Sequence, residues 1–287
     1  MRLGVVGMTP ADFRAISAKH LKAVQALGLT AACFHAPGDQ LFGVKSEECH
    51  KVRSLYAEHG MDLAQFGIGY NECLFDPEAA VRDRVVAKIA RGLEVGRELG
   101  AHVVLIRTGS LNPTGSYNPS RKNHEPAAME HLIETLRRVA DKAEQEGQTI
   151  VIETHVLTIM NSPEVNRDVV QAVGSEKIRI VMDYVNHFQT LSQVYDSTAR
   201  IDHIFDVMGS LCPVGHCKDI SVRNGFVLHY DEEIPGEGEL DMAAALRRWH
   251  ELRPNGYLLL EHLPNEFYPL AARNVHQIAK DAGVPII

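Results

Sequence analysis

Four short apolar runs in this sequence end on a residue able to hold a cation or carry a proton. "TIVIE" ends on Glu153, "IRIVMD" on Asp183, "PVGH" on His216 and "YLLLE" on Glu261. A strand that reaches water on one charged residue is ordinary. Four such runs in succession, three of them closing on a carboxylate, imply more if the fold gathers their ends. Carboxylates that close repel one another unless a cation sits among them. The simplest resolution is one divalent metal bound by Glu153, Asp183, His216 and Glu261. One imidazole with three carboxylates suits Mn²⁺ first, then Mg²⁺ or Co²⁺, with Zn²⁺ also compatible.

Other residues near these ends carry usable chemistry. His155 lies two beyond Glu153, so strand alternation points both the same way while the strand lasts. It is a candidate general base or an orienting group for its neighbour; the alternative is an exposed loop histidine. Lys218 lies two beyond His216 and is a candidate for holding a substrate oxygen, with Asp219 as a structural partner. Arg107 ends "VVLIR" and suits a carboxylate, phosphate or sugar hydroxyl, or else a neighbouring acid. His35 ends "CFH" and is placed on the opposite wall. Glu237 sits between two glycines in "PGEGEL", facing substrate or solvent. Asn123 and His124 are candidate lid residues.

The elements that must position these residues alternate from end to end. Strand-like runs are "RLGVVG", "TAACFHA", "MDLAQFGIG", "AHVVLIRTG", "TIVIETH", "IRIVMDYV", "LCPVGHCKD" and "GYLLLEHL". Amphipathic helical sequence separates them, with Gly28, Gly100 and Gly147 as stops and Asp241 as an N-cap. The strands lack clean polar alternation, which suits a parallel sheet buried on both faces. The expectation is an α/β chain folded as a single-domain closed (β/α)8 barrel over residues 1–287, with chemistry at the C-terminal strand ends. A doubly wound open sheet is the alternative, but the first strand lacks a G-x-G-x-x-G turn. Long loops follow the fourth strand ("SLNPTGSYNPSRKNHEP") and the seventh ("SVRNGFVLHYDEEIPGEGEL"), and loops of that length in a compact domain tend to be functional.

Composition narrows the partners. The chain has 287 residues and a net charge of −8, which argues against a nucleic-acid partner bound through a broad basic field. Its five cysteines form no C-x-x-C pair and read as buried reduced thiols. No signal peptide and no run long enough to span a bilayer is evident, so a cytoplasmic protein with no membrane partner is expected.

"VIETH", "VMDYVNH", "GHCKD" and "LLLEH" together resemble the xylose-isomerase-like TIM-barrel superfamily, and more narrowly its sugar phosphate isomerase/epimerase group. The segment "DPEAAVRDRVVAKIARGLEVGRELGAHVVLI", the H-x-K-D at His216 to Asp219 and "PGEGELD" extend the resemblance over the chain. It implies a metal-dependent isomerase or epimerase acting on a small polyhydroxylated sugar, keto-sugar or cyclitol through an enediolate. Glu153 and Glu261 would serve as both ligands and proton-transfer bases. A homo-oligomer is also implied. A lyase of the same group is the second reading: an inosose-type dehydratase, or a 3-keto-glycoside deglycosidase working with a second, β-rich subunit. His155 would suit the base there. One departure stands out. The group often shows Asp-x-x-His, whereas here Asn186 holds that place and His187 comes one later, so either is a candidate substrate contact. Endonuclease-IV-like repair is disfavoured, because the third strand ends "QFGIGYN" without a histidine. A metal-free binding module would be favoured only if no divalent ion bound.

Overall fold

The computed structural model describes residues 1–287. Ten strands form: Arg2–Val6 (β1), Ala31–Pro37 (β2), Gln65–Gly69 (β3), Val103–Arg107 (β4), Ile150–Glu153 (β5), Ile178–Ile180 (β6), Val214–Cys217 (β7), Asp219–Val222 (β8), Tyr230–Glu233 (β9) and Tyr257–Leu260 (β10). Eight of them lie in one sheet in the order β6-β5-β4-β3-β2-β1-β10-β7, every pairing parallel. A bridge between Met182 and Gly215 joins its two edges and closes the cylinder. The order never reverses, so the doubly wound alternative is excluded.

Ten helices surround the sheet: Ala18–Gln25 (α1), Gly38–Leu41 (α2), Ser46–Glu58 (α3), Ala79–Leu99 (α4), Pro126–Glu146 (α5), Pro163–Val173 (α6), Leu191–Tyr195 (α7), Ser197–Met208 (α8), Met242–Leu252 (α9) and Tyr268–Asp281 (α10). The long helices α4 and α5 stop on Gly100 and Gly147 at φ 75° and 68°, a left-handed turn that glycine adopts without strain. Asp241 caps α9 by accepting from the Ala244 N–H at 2.9 Å. None of these helices is long and apolar enough to cross a membrane.

Two apolar cores result. One of 72 residues packs the outer sheet face against the helices. The other, of 10 residues, fills the lumen and includes Val151, Val181, Val214 and Leu259. Side chains on a strand alternate between faces, so a residue two further along points the same way. Two beyond Val151 is Glu153, two beyond Val181 is Asp183, two beyond Val214 is His216, and two beyond Leu259 is Glu261. The lumen core thus sets the direction of all four groups. All five cysteines are buried and unpaired, and Cys217 packs on the helix side, away from His216.

The stretch after β7, read from sequence as a loop, contains the antiparallel hairpin β8–β9. Its base is pinned by Asp219. That buried carboxylate accepts from the backbone N–H groups of Ile220, Gly236, Gly238 and Leu240 at 2.9–3.2 Å. Asp219→Ala strands these donors, and a buried donor without a partner costs about 1–3 kcal/mol. Loop relaxation will recover part, so a loss of about 3 kcal/mol in urea unfolding is expected. An unchanged midpoint would mean that the loop does not depend on this carboxylate.

Candidate active site

One ligand atom from each of Glu153, Asp183, His216 and Glu261 lies within 4.8 Å of all the others. Their residues are only 7%, 1%, 1% and 3% exposed, so these are not carboxylates meeting bulk water. Asp183 Oδ1 is buried without any hydrogen-bond partner. His216 Nδ1 faces Glu261 Oε1 at 2.9 Å and Asp183 Oδ2 at 3.4 Å. Three oxygens and one nitrogen at this spacing fit a small divalent cation, whose ligands lie about 2.1 Å from it and so up to about 4.2 Å apart. A slight side-chain adjustment closes that difference. All four ligands come from the β5, β6, β7 and β10 side of the barrel; β1 to β4 supply none.

Other side chains hold the four in place. Tyr117 donates its hydroxyl to Glu153 Oε2 at 2.5 Å. The Arg107 guanidinium lies 5.1 Å from the Tyr117 ring centre, a cation–π contact that fixes the ring from behind. Asn186 donates to Asp183 Oδ2 at 2.8 Å. Lys218 Nζ lies 2.7 Å from both Asp183 Oδ2 and Glu261 Oε1. Gln65 Oε1 lies 3.0 Å from His216 Nε2.

Burial opposes charge on Asp183, His216, Lys218 and Glu261, and their mutual attraction overcomes it. Burial would raise the Asp183 carboxyl, but Lys218 and then His216 hold it down to about 2. Burial would lower His216, but Glu261 and Asp183 push it up to about 10. Lys218 likewise stays charged, held well above its ordinary value by Asp183 and Glu261 against burial. Burial also works against Glu261, and His216 and Lys218 keep it well below the usual carboxylate range.

A cleft lies over the quartet: Glu153 lines it, while Asp183 and Glu261 lie behind Lys218. A cavity of about 690 Å³ is lined by Tyr117, Glu153, His155, Asn186, Lys218 and His262, with the hairpin as its outer wall. A second, of about 820 Å³, lies on the β2 to β4 side and is lined by His35, Glu72, Lys88 and Arg107. A third joins them through His35, Arg107, Tyr117, Glu153 and His262.

The candidates named from sequence divide accordingly. His35, Arg107, His155, Asn186 and Lys218 all face this cleft. His155 Nδ1 accepts from the Leu157 N–H at 3.1 Å, which leaves Nε2 for the cavity. Burial lowers its pKa. Lys218 pairs with Asp183 and Glu261 rather than with Asp219, which is engaged by backbone. His187 does not face the cleft. It is fully buried with Nε2 3.1 Å from Thr154 Oγ1, because the 3₁₀ turn Tyr184–His187 rotates it into the wall and presents Asn186 instead. Burial pushes the His187 ring down to about 4, as expected of a packed neutral imidazole. Glu237 also points elsewhere: it is exposed and accepts from Asn274 of α10 at 2.9 Å. Asn123 braces its own loop, accepting from the Leu111 N–H at 2.9 Å, and His124 is exposed without lining the cleft.

Four residues of the site were not singled out from sequence. Tyr117 lies inside the long loop after β4, where nothing in its spacing marks it. Gln65 reads as part of a buried strand. Glu232 faces His262 from the hairpin, 3.3 Å from its Nδ1. His262 follows Glu261 directly, and alternation alone would turn it away. Instead its φ of 60° swings it back, to 3.1 Å from Lys218 Nζ.

A family profile described as "Xylose isomerase-like TIM barrel" matches residues 21–284. The chain belongs to that family. An inosose isomerase of Bacillus velezensis is 27% identical over 157 residues, 54% of this chain and 54% of that protein. The chain thus spans about half the length of the curated relatives it matches. Among solved structures, the 3-keto-D-glucoside 4-epimerase of E. coli superposes with a TM-score of 0.71 at 14% identity, covering 98% of this chain and 99% of that one. A xylose isomerase-like protein of Mycobacterium smegmatis in complex with magnesium does so with a TM-score of 0.72 at 15% identity, covering 98% and 96%. At these identities the structural likeness is one of fold.

Proposed function

We propose that this protein is a divalent-metal-dependent isomerase or epimerase of a small keto-sugar or cyclitol. The observation that carries the proposal is the convergence of Glu153, Asp183, His216 and Glu261 in the barrel mouth, buried and within 4.8 Å of one another. Those four residues would hold the cation. When bound, it supplies a Lewis acid that polarises a substrate carbonyl and acidifies the neighbouring C–H. Glu153 and Glu261, at the ends of β5 and β10, would take a proton from that carbon and return it to the same or the adjacent atom. Tyr117 fixes the orientation of Glu153 for this role. Asn186, Lys218, His35 and Arg107 supply hydrogen-bonding groups to the hydroxyls of a carbohydrate in the cleft. The inosose isomerase and 3-keto-D-glucoside 4-epimerase relatives support the substrate class. Mn²⁺ is the first choice of metal; the magnesium complex of the mycobacterial relative supports a hard, oxygen-preferring ion.

A second reading has one observation in its favour. His155 lines the cavity with Nε2 unengaged by its own backbone, so it is available to remove a proton next to a ketone. A leaving group at the β-position would then depart and make the enzyme a lyase. The two readings separate on product mass. Protein reconstituted with Mn²⁺ is incubated with ketoses, inososes and 3-keto-glycosides. A new sugar of unchanged mass is the expected result; loss of water or of an aglycone would replace the isomerase reading by the lyase. Stripping the metal with a chelator is expected to lower turnover at least about 100-fold, with recovery on adding Mn²⁺. Full turnover after complete removal would sink the metal assignment.

A further inference from the structure

Each of the four ligand side chains is held by another side chain, and three of those holders also face the cavity. Tyr117, Asn186 and Lys218 line it and so meet whatever binds. Gln65 does not. It opens β3, a strand that supplies no ligand, and its side chain is fully buried outside the cavities of the mouth. It reaches across the lumen to β7, where its Oε1 lies 3.0 Å from His216 Nε2. Its own Nε2 has no partner. A methionine would fill the same space without stranding an amide N–H, which is unfavourable in a core. What the amide adds is one acceptor oxygen aimed at the back of the imidazole.

An amide oxygen has no proton to give, so it pairs only with an Nε2 that carries one. Nδ1 is then the nitrogen whose lone pair is open to a cation, and Nδ1 is the atom that faces Glu261 Oε1 and Asp183 Oδ2. We propose that Gln65 is a positioning residue for the metal centre, its carboxamide oxygen fixing the His216 ring and the tautomer that presents Nδ1 to the ion. This rests on the metal reading of the quartet.

The test uses the full chain, stripped of metal and titrated with Mn²⁺ by calorimetry, with thermal unfolding alongside. Gln65→Met is expected to weaken Mn²⁺ binding about 10–100-fold, the usual effect of losing the group behind a ligating histidine. Its melting temperature should change little, because the stranded amide N–H is gone while the His216 Nε2–H loses its acceptor. Gln65→Glu keeps an acceptor oxygen in place and should bind within about threefold of wild type. A purely packing role would move melting temperatures without separating the two affinities. Folded Gln65→Met that binds within about twofold of wild type overturns the proposal. The wild type keeps the proposal open to refutation even if neither variant folds. With ¹⁵N-labelled histidine and Mg²⁺ bound, His216 should carry its proton on Nε2, and a proton on Nδ1 overturns the proposal. Wild type that takes up no Mn²⁺ overturns the metal reading, and this inference with it. Wild type that binds, beside an unaffected Gln65→Met, overturns this inference alone.

Discussion

Glu261→Gln is expected to lower turnover by about 10²–10⁴-fold, the contribution typical of a positioned acid–base group, and to weaken metal binding in parallel. The substitution keeps the shape of the side chain and removes its charge. Glu261 is 3% exposed and faces two cations, with Lys218 at 2.7 Å and His216 at 2.9 Å. Removing one partner from a buried ion cluster can cost about 3–5 kcal/mol, although Asp183 still faces both cations here. Stability must therefore be followed beside activity, and Glu153→Gln is the useful companion. Glu153 is held by Tyr117, so its loss leaves the Lys218 and His216 pairs intact. Both variants should fold and both should be nearly inactive, with only Glu261→Gln clearly destabilised. A folded Glu261→Gln enzyme retaining turnover within about tenfold of wild type would remove Glu261 from the chemistry.

Metal uptake should depend steeply on pH. Without metal, burial works against a charged His216, but Glu261 and Asp183 push its pKa up to about 10. A cation binding through Nδ1 must displace that proton, so Mn²⁺ affinity is expected to rise about tenfold per pH unit between about pH 6 and pH 8.5. Stability of the metal-stripped protein follows the same groups. The folded pKa of His216 is raised above its ordinary 6.5, so its contribution is complete below that value and fades as pH climbs toward about 10. The Asp183 pKa is depressed from 3.8 to about 2, so its contribution is present above 3.8 and is lost as pH falls through about 2. Urea unfolding should show the metal-stripped protein weakening above about pH 6.5, and added metal should cancel that decline. Affinity that stays flat across this range would show that His216 does not exchange a proton for the ion.

Sequence patterning revealed the barrel and the quartet because both rest on the same local rule. A short β-rich apolar run fixes a strand, and its two-residue period carries the direction of the last lumen residue onto the next. That rule located Glu153, Asp183, His216 and Glu261, and also His35 and Arg107. It failed wherever the chain left the extended state. Beyond β6 a 3₁₀ turn exchanged the places of Asn186 and His187. Beyond β10 a left-handed residue returned His262 to the cleft. The hairpin escaped notice because β9, "YDEE", has no buried face to alternate with a polar one. Tyr117 depends on the path of a long loop, which no periodicity encodes. Gln65 lies on a lumen-facing position, but at the depth of the core rather than at the rim, so its role is visible only across the barrel.

The one-sided origin of the ligands has a consequence for how such a protein can change. Every group of the quartet lies in or directly after β5, β6, β7 or β10, while β2, β4 and the loop after β3 line the cleft with His35, Arg107 and Glu72, and β1 to β4 hold none of the ligands. The exposed positions of the loops at 7–17, 70–78 and 108–125 can therefore vary while the quartet itself stays in place, whereas Phe13, Tyr70, Leu74 and Phe75 are fixed by the core. Tyr117, in the last of them, is the exception that touches a ligand. A library confined to the first two loops is where a new substrate preference can be selected with least loss of turnover.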